Sequence, residues 1–191
     1  MMALDIALVL AFEVLAMGLP ESVHHTTHAM DQMPIGMMWL FAVFIAPVAE
    51  ELIFRAGLRN ATYLMFVGPG VVAAMAGTAW LVAAWALVAA ACLIVWRKTL
   101  ALPGERVRRA RQFSQRYGAW FWLYTLAFGL MHIGNYQPEA GQWLWLPLLV
   151  VPQIITGVML GYLRNRNGLY SAMLAHFALN FMAIGVATWL R

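Results

Sequence analysis

Residues 71–96, VVAAMAGTAWLVAAWALVAAACLIVW, contain no charged side chain. An apolar run of that length matches the hydrocarbon core of a bilayer, about 30 Å thick and crossed by a helix in about 20 residues. Lipid offers the backbone no hydrogen-bonding partner, so such a run must satisfy its own amides and carbonyls as a helix. Five further segments have the same character: 2–19, interrupted by Asp5 and Glu13, then 35–58, 118–133, 143–163 and 168–190. With 63% apolar and only 10% charged residues, the chain has too little polar surface to cover a water-soluble domain of its length. The expected fold is all-α: a multi-pass transmembrane bundle of about six spans, forming one integral domain over 1–191 in the cell membrane and in contact with lipid.

The first segment lacks a basic leader and a small-residue cleavage site, so it reads as a retained span and not a signal peptide. The single cysteine, Cys92, excludes an intrachain disulfide and sits in an alanine-rich packing context. Seven of the twelve Lys and Arg lie in 97–117, RKTLALPGERVRRARQFSQRY, which accounts for the basic balance without a nucleic-acid partner. This stretch reads as a cytoplasmic loop obeying the positive-inside bias. Alternating six spans from it puts Arg164 and Arg166 inside and Arg55, Arg59 and Arg191 on the opposite side. It also makes the spans at 35–58, 118–133 and 168–190 run in one direction. That assignment holds if 71–96 crosses once; a re-entrant pair there reverses the first two spans.

Charge inside a span is expensive, on the order of 2.5–3.5 kcal/mol per group, so the stretch APVAEELIFR at 46–55 needs a reason. Glu51 and Arg55 are four apart on one helical face, with the acid on the N-terminal side, the favourable order for a pair. Glu50 lies about 100° around the helix and stays free for proton chemistry. Pro47 at the start of the segment places both glutamates near a helix N-terminus, where negative charge is favoured. Two later spans supply complements: FGLMH places His132 one turn after Phe128, and HFALN places His176 and Asn180 on a shared face. The motif-bearing core is therefore 35–60 and 118–190.

In this order, Glu-Glu-x-x-x-Arg, Phe-x-x-x-His and His-x-x-x-Asn resemble the motifs of the CAAX protease and bacteriocin-processing family of intramembrane endopeptidases. The resemblance continues through GVMLGYLRNRNGLYSAMLAHFALN, and covers about 40–60 and 118–183. It implies that Glu50 and His132 activate a water that attacks a peptide carbonyl, while His176 and Asn180 bind the oxyanion or assist. Arg55 would fix Glu51. It also implies a hydrophobic or lipidated peptide or protein substrate, which the residues do not name further. Members of the family have been described both as metal-free glutamate proteases and as metalloproteases. Glu50, His132 and His176 could form a His₂Glu site for a divalent metal such as zinc; the His-Glu-x-x-His spacing of soluble zinc proteases is absent, and no metal is assigned. One departure stands out: the family's first two motifs are close in sequence, whereas residues 56–127 separate them here.

Other chemistries find less support. None of the three serines has a Gly-x-Ser-x-Gly setting, and Cys92 has no histidine nearby in sequence. His24, His25 and His28 beside Glu21 and Asp31 read as a solvated loop. Gly157 and Gly161 would allow close helix approach and help position the last span. The rival readings are a proton- or ion-coupled transporter using the same polar residues, and a non-catalytic immunity or scaffold protein of the same fold.

Overall fold

The computed structural model describes residues 34–59, 63, 79–135 and 146–189. The expected span at 2–19 and the histidine cluster at 24–28 lie outside the described residues. Everything described between the turns is helical, and no strand occurs among the described residues.

Helix α1 begins after Pro34 and carries the glutamate pair. It has three parts: α-helical Ile35–Trp39, a wide π-helical turn at Leu40–Ile45, and α-helical Ala46–Phe54, after which Ala56–Arg59 tightens into a 3-10 turn. The widening has a cause in the sequence. Pro47 has no N–H and its ring crowds the preceding turn, and just before it the Ala46 amide bonds to the carbonyl of Phe41, five residues back. A π bulge absorbs the proline without ending the helix.

Helix α2, Ala79–Leu100, is followed by a turn at Gly104, whose φ of 77° suits a residue without Cβ, and by α3, Glu105–Gln115. The expected loop at 97–117 is thus mostly helical. Its residues favour that state because Glu105 pairs with Arg108 and Arg109, three and four positions on. Arg109 also lies 3.8 Å from the Trp96 ring and donates to Thr99 Oγ1, tying α3 to α2.

Helix α4, Tyr117–Met131, ends in a 3-10 turn at His132–Asn135; the single turn α5, Leu146–Leu149, precedes α6, Val151–Asn167. Pro152 sits in the first turn of α6, where its missing N–H leaves no gap. Gly168, at φ 102°, lets the chain reverse directly into α7, Leu169–Trp189.

Helices α1, α4, α6 and α7 pack together. Pairing of Phe121 with Gly161 and Gly129 with Ile154 makes α4 and α6 antiparallel. On α1, Glu51 meets His176, Ala42 meets Asn180 and Trp39 meets Phe181, so α1 is antiparallel to α7. This reverses one expectation. The motif spans do not all run in one direction: α4 and α7 do, and α1 opposes them. Arg164 of α6 donates to the carbonyls of Arg55 and Ala56 at 3.0 and 3.2 Å, so Arg55 and Arg59 share an end with Arg164 and do not face the opposite side. The chain between α1 and α4 leaves and returns at that same end. The alternation assumed an odd number of crossings between 60 and 116, and two ends on one side do not fit an odd number.

Of the six expected spans, two helices among the described residues are long and apolar enough to cross a bilayer on their own, Ile35–Arg59 and Leu169–Val186. The segment at 143–163 is broken at Val150 between α5 and α6, and 118–133 yields a fifteen-residue α-helix plus one tight turn.

Candidate active site

The second half of α1 forms the floor of a polar centre. Glu51 is completely buried, and its Oε1 accepts hydrogen bonds from Arg55 Nη1 and His176 Nδ1, each at 3.0 Å. The pairing expected from the four-residue spacing is therefore made. Breaking such a pair by removing one member strands a charge and costs about 3–5 kcal/mol. Arg55 is held from a second side: its Cζ lies 3.7 Å from the centroid of Phe128, a cation–π contact in a desolvated setting.

Phe128 is the hub that sequence reading undervalued. Its ring meets Phe54 at 5.6 Å, His132 at 4.9 Å and His176 at 5.9 Å, all nearly edge-on. One aromatic side chain thereby spaces both imidazoles and the guanidinium. Gly157 makes room for it. A Cβ there would lie 3.2 Å from Phe128 and Thr125 side-chain carbons and 3.4 Å from Arg55 Nη2. The Gly157–Gly161 stripe thus serves α4 and Arg55, and its expected role in seating the last span is not what these contacts show.

Hydrogen bonds fix both imidazoles. His132 Nδ1 lies 2.8 Å from the Phe128 carbonyl, which can only accept, so Nδ1 carries the proton and Nε2 is left with its lone pair. His176 Nδ1 faces the Glu51 carboxylate, already neutralised by Arg55, so the same tautomer results. Its Nε2 stands 3.5 Å from Glu50 Oε2. That oxygen is buried and makes no hydrogen bond within the protein, so the contact is an ion-pair distance only. Glu50 retains 17% side-chain exposure against none for Glu51, which separates the reachable carboxylate from the structural one.

Asn180 Nδ2 donates to the carbonyl of Ala42 at 2.8 Å. All six expected residues therefore lie in or beside one cluster, with two adjustments. The imidazole paired with Glu50 is His176, while His132 is anchored to its own helix; and Asn180 reaches backbone of α1. Arg164 was missed as a site-supporting residue, since positive-inside counting gave it a role already. It caps the last carbonyls of the glutamate helix, where a cation is favoured. Gln153, one turn before Gly157 on α6, has a buried side-chain oxygen without a protein partner. Among the described residues no three His, Cys, Asp or Glu side chains stand close enough to hold a metal ion.

These features define a helical membrane protein with a buried carboxylate–imidazole centre. The family model described as type II CAAX prenyl endopeptidase Rce1-like matches residues 32–182, and the chain belongs to that family. The match includes every residue of the centre. No curated protein and no solved structure matches the chain. Family membership makes the chain a CAAX-type membrane protease in class, with a peptide substrate.

Proposed function

We propose that this chain is a multi-pass intramembrane endopeptidase that hydrolyses a peptide bond of a membrane-associated substrate with a water activated at Glu50. The observation that carries the reading is the Glu51–His176–Glu50 chain of contacts, in which only Glu50 keeps solvent access.

With His176 protonated, the Glu50 carboxylate takes a proton from water as the water oxygen bonds to the peptide carbonyl carbon. Glu51, paired to Arg55, holds the His176 ring by its Nδ1 so that Nε2 faces Glu50. His132, half-exposed, takes a second proton from solvent at Nε2 before the attack and then donates a hydrogen bond to the tetrahedral oxygen, an interaction strongest where water is scarce. Glu50 then returns the proton to the leaving nitrogen as the carbon–nitrogen bond breaks. Both imidazoles also present Nε2 with Nδ1 anchored, the second-shell arrangement that orients metal ligands. A metal-assisted variant would need Glu50, His132 and His176 to close on an ion, and in this arrangement they do not stand close enough to hold one.

The reversed α1 supports a topology in which 60–116 begins and ends on the inner side. Arg59, the basic segment, Arg164 and Arg166 then share that side, which strengthens the positive-inside bias. The substrate enters beside Glu50. Its lipid-exposed surroundings suit a hydrophobic or lipidated tail.

The test is peptide cleavage by purified protein in liposomes, comparing wild type with Glu50→Gln and His132→Ala, each also assayed after exhaustive chelation. Both substitutions abolish turnover while membrane insertion is kept. Undiminished turnover in either overturns the assigned roles; unchanged wild-type turnover after chelation removes the metal-assisted variant.

A further inference from the structure

Asn180 and Pro47 are far apart in sequence, yet one hydrogen-bond deficit joins them. At the end of the π turn the register is five residues, the Ala46 amide bonding to the carbonyl of Phe41. The next amide in that register belongs to residue 47, which is proline and has none. The carbonyl left without its amide is that of Ala42, and it is buried. Asn180 Nδ2 reaches this oxygen from α7, at 2.8 Å. A carbonyl acceptor fixes the amide orientation, because only the nitrogen end of Asn180 can donate.

Asn180 stands one turn after His176 on the same helix. Fastening α7 to the widened turn of α1 at Ala42 therefore sets the height and rotation at which His176 stands between Glu50 and Glu51. Aromatic pairs flank this fastening, Phe44 with Phe177 at 5.7 Å and Trp39 with Phe181 at 5.2 Å. They supply area without direction, since rings tolerate sliding; the Asn180 bond supplies the register.

We infer that Asn180 is a positioning residue that locks α7 to the proline-induced π turn of α1 and acts on the reaction through His176, the second hydrogen of its amide being left over. This rests on the endopeptidase reading for its catalytic consequence. The lock itself is structural and measurable without turnover.

The experiment is a cycle of Pro47→Ala and Asn180→Asp, the latter keeping shape but losing the donor. Each variant is built with and without a reporter pair, Phe44→Cys and Phe177→Cys, in a Cys92→Ser background. In liposomes, the initial rate of oxidative cross-linking reports the α1–α7 register, and peptide cleavage reports kcat and KM. The lock predicts that Asn180→Asp changes the cross-linking rate at least severalfold and lowers kcat more than it raises KM. Pro47→Ala returns an amide to the register, so adding Asn180→Asp in that background changes cross-linking little further. A wild-type cross-linking rate in Asn180→Asp, together with the same fold loss of kcat in both backgrounds, overturns the proposal and leaves Asn180 as a direct donor to the substrate. If wild type shows no peptidase activity, the endopeptidase reading fails alone, because the cross-linking arms still decide the lock. If Pro47→Ala is inactive, the same arms decide it.

Discussion

Helices α1 and α2 are both apolar and of similar length, yet they live differently. The second half of α1 is buried from Ile53 to Leu58 and meets α4, α6 and α7. Along α2, no side chain between 83 and 99 is buried, and Leu87 is 74% exposed. Hydropathy does not separate them. In lipid, apolar surface gives no drive to associate, and small-residue packing and polar contacts decide which helices come together. Helix α1 has Glu51, Arg55 and a carbonyl freed by Pro47; α2 has no charged side chain before Arg97. The ionisable residues that look like a burden on α1 are what recruit its neighbours.

The largest effect that would break this contrast lies at His176, the proposed proton partner of Glu50 and a tie to α1. His176→Ala lowers kcat by about 10²–10⁴-fold, the usual worth of a positioned acid–base group, in a protein that still inserts and folds. Activity near wild type would mean that the imidazole serves packing alone. Arg55→Ala comes next. It strands Glu51 at a fully buried site and should cost about 3–5 kcal/mol, read as a lower unfolding midpoint in detergent. The double change Glu51→Leu with Arg55→Leu recovers much of that stability without recovering cleavage. Equal loss in the single and double variants would show that the pair is not coupled.

Gly157→Ala is smaller. The added methyl meets Phe128 and Thr125 at 3.2 Å, and overpacking of this kind costs about 1–3 kcal/mol. On the exposed helix, Leu87→Ala should leave the unfolding midpoint unchanged, so a comparable loss there would erase the distinction between the two helices. The smallest effect belongs to α3. Glu105 is held below the ordinary carboxylate range, chiefly by the hydrogen bond from Arg108. Its folded pKa is lowered, so the stabilisation is present above the ordinary value of about 4.3 and is lost only as pH falls through the lower folded value. Hydrogen exchange of α3 should therefore be insensitive to Glu105 protonation between pH 7 and 5 and rise in stronger acid; opening near pH 6 would show that these pairs do not hold the helix.

Much of the centre was legible because helical spacing is local. Four-residue offsets placed Glu51 with Arg55 and His176 with Asn180, and about 100° per residue separated Glu50 from Glu51. Direction was not legible. Whether α1 runs with or against α7 depends on how many times 60–116 crosses, and length and hydropathy cannot count crossings through a segment bounded by basic residues. Partner choice was equally hidden. Nothing local says that Arg164 caps α1, that Gly157 faces Phe128, or that Asn180 seeks the one carbonyl a proline had deprived of its amide. The basic stretch became helix where a loop was expected because Glu105 pairs twice within it, a signal present in the spacing but outweighed by its charge.

Because Arg59 lies close enough to Tyr117 for its charge to be felt there, the excursion from 60 to 116 has its two ends side by side. An insertion with adjoining ends can lengthen, shrink or be replaced by a short bridge while the four packed helices keep their handedness and order. That gives a physical account of how two motifs that ordinarily sit close in sequence can stand so far apart here and still build one centre. It also leaves the α2–α3 arm freer to diverge than the four packed helices.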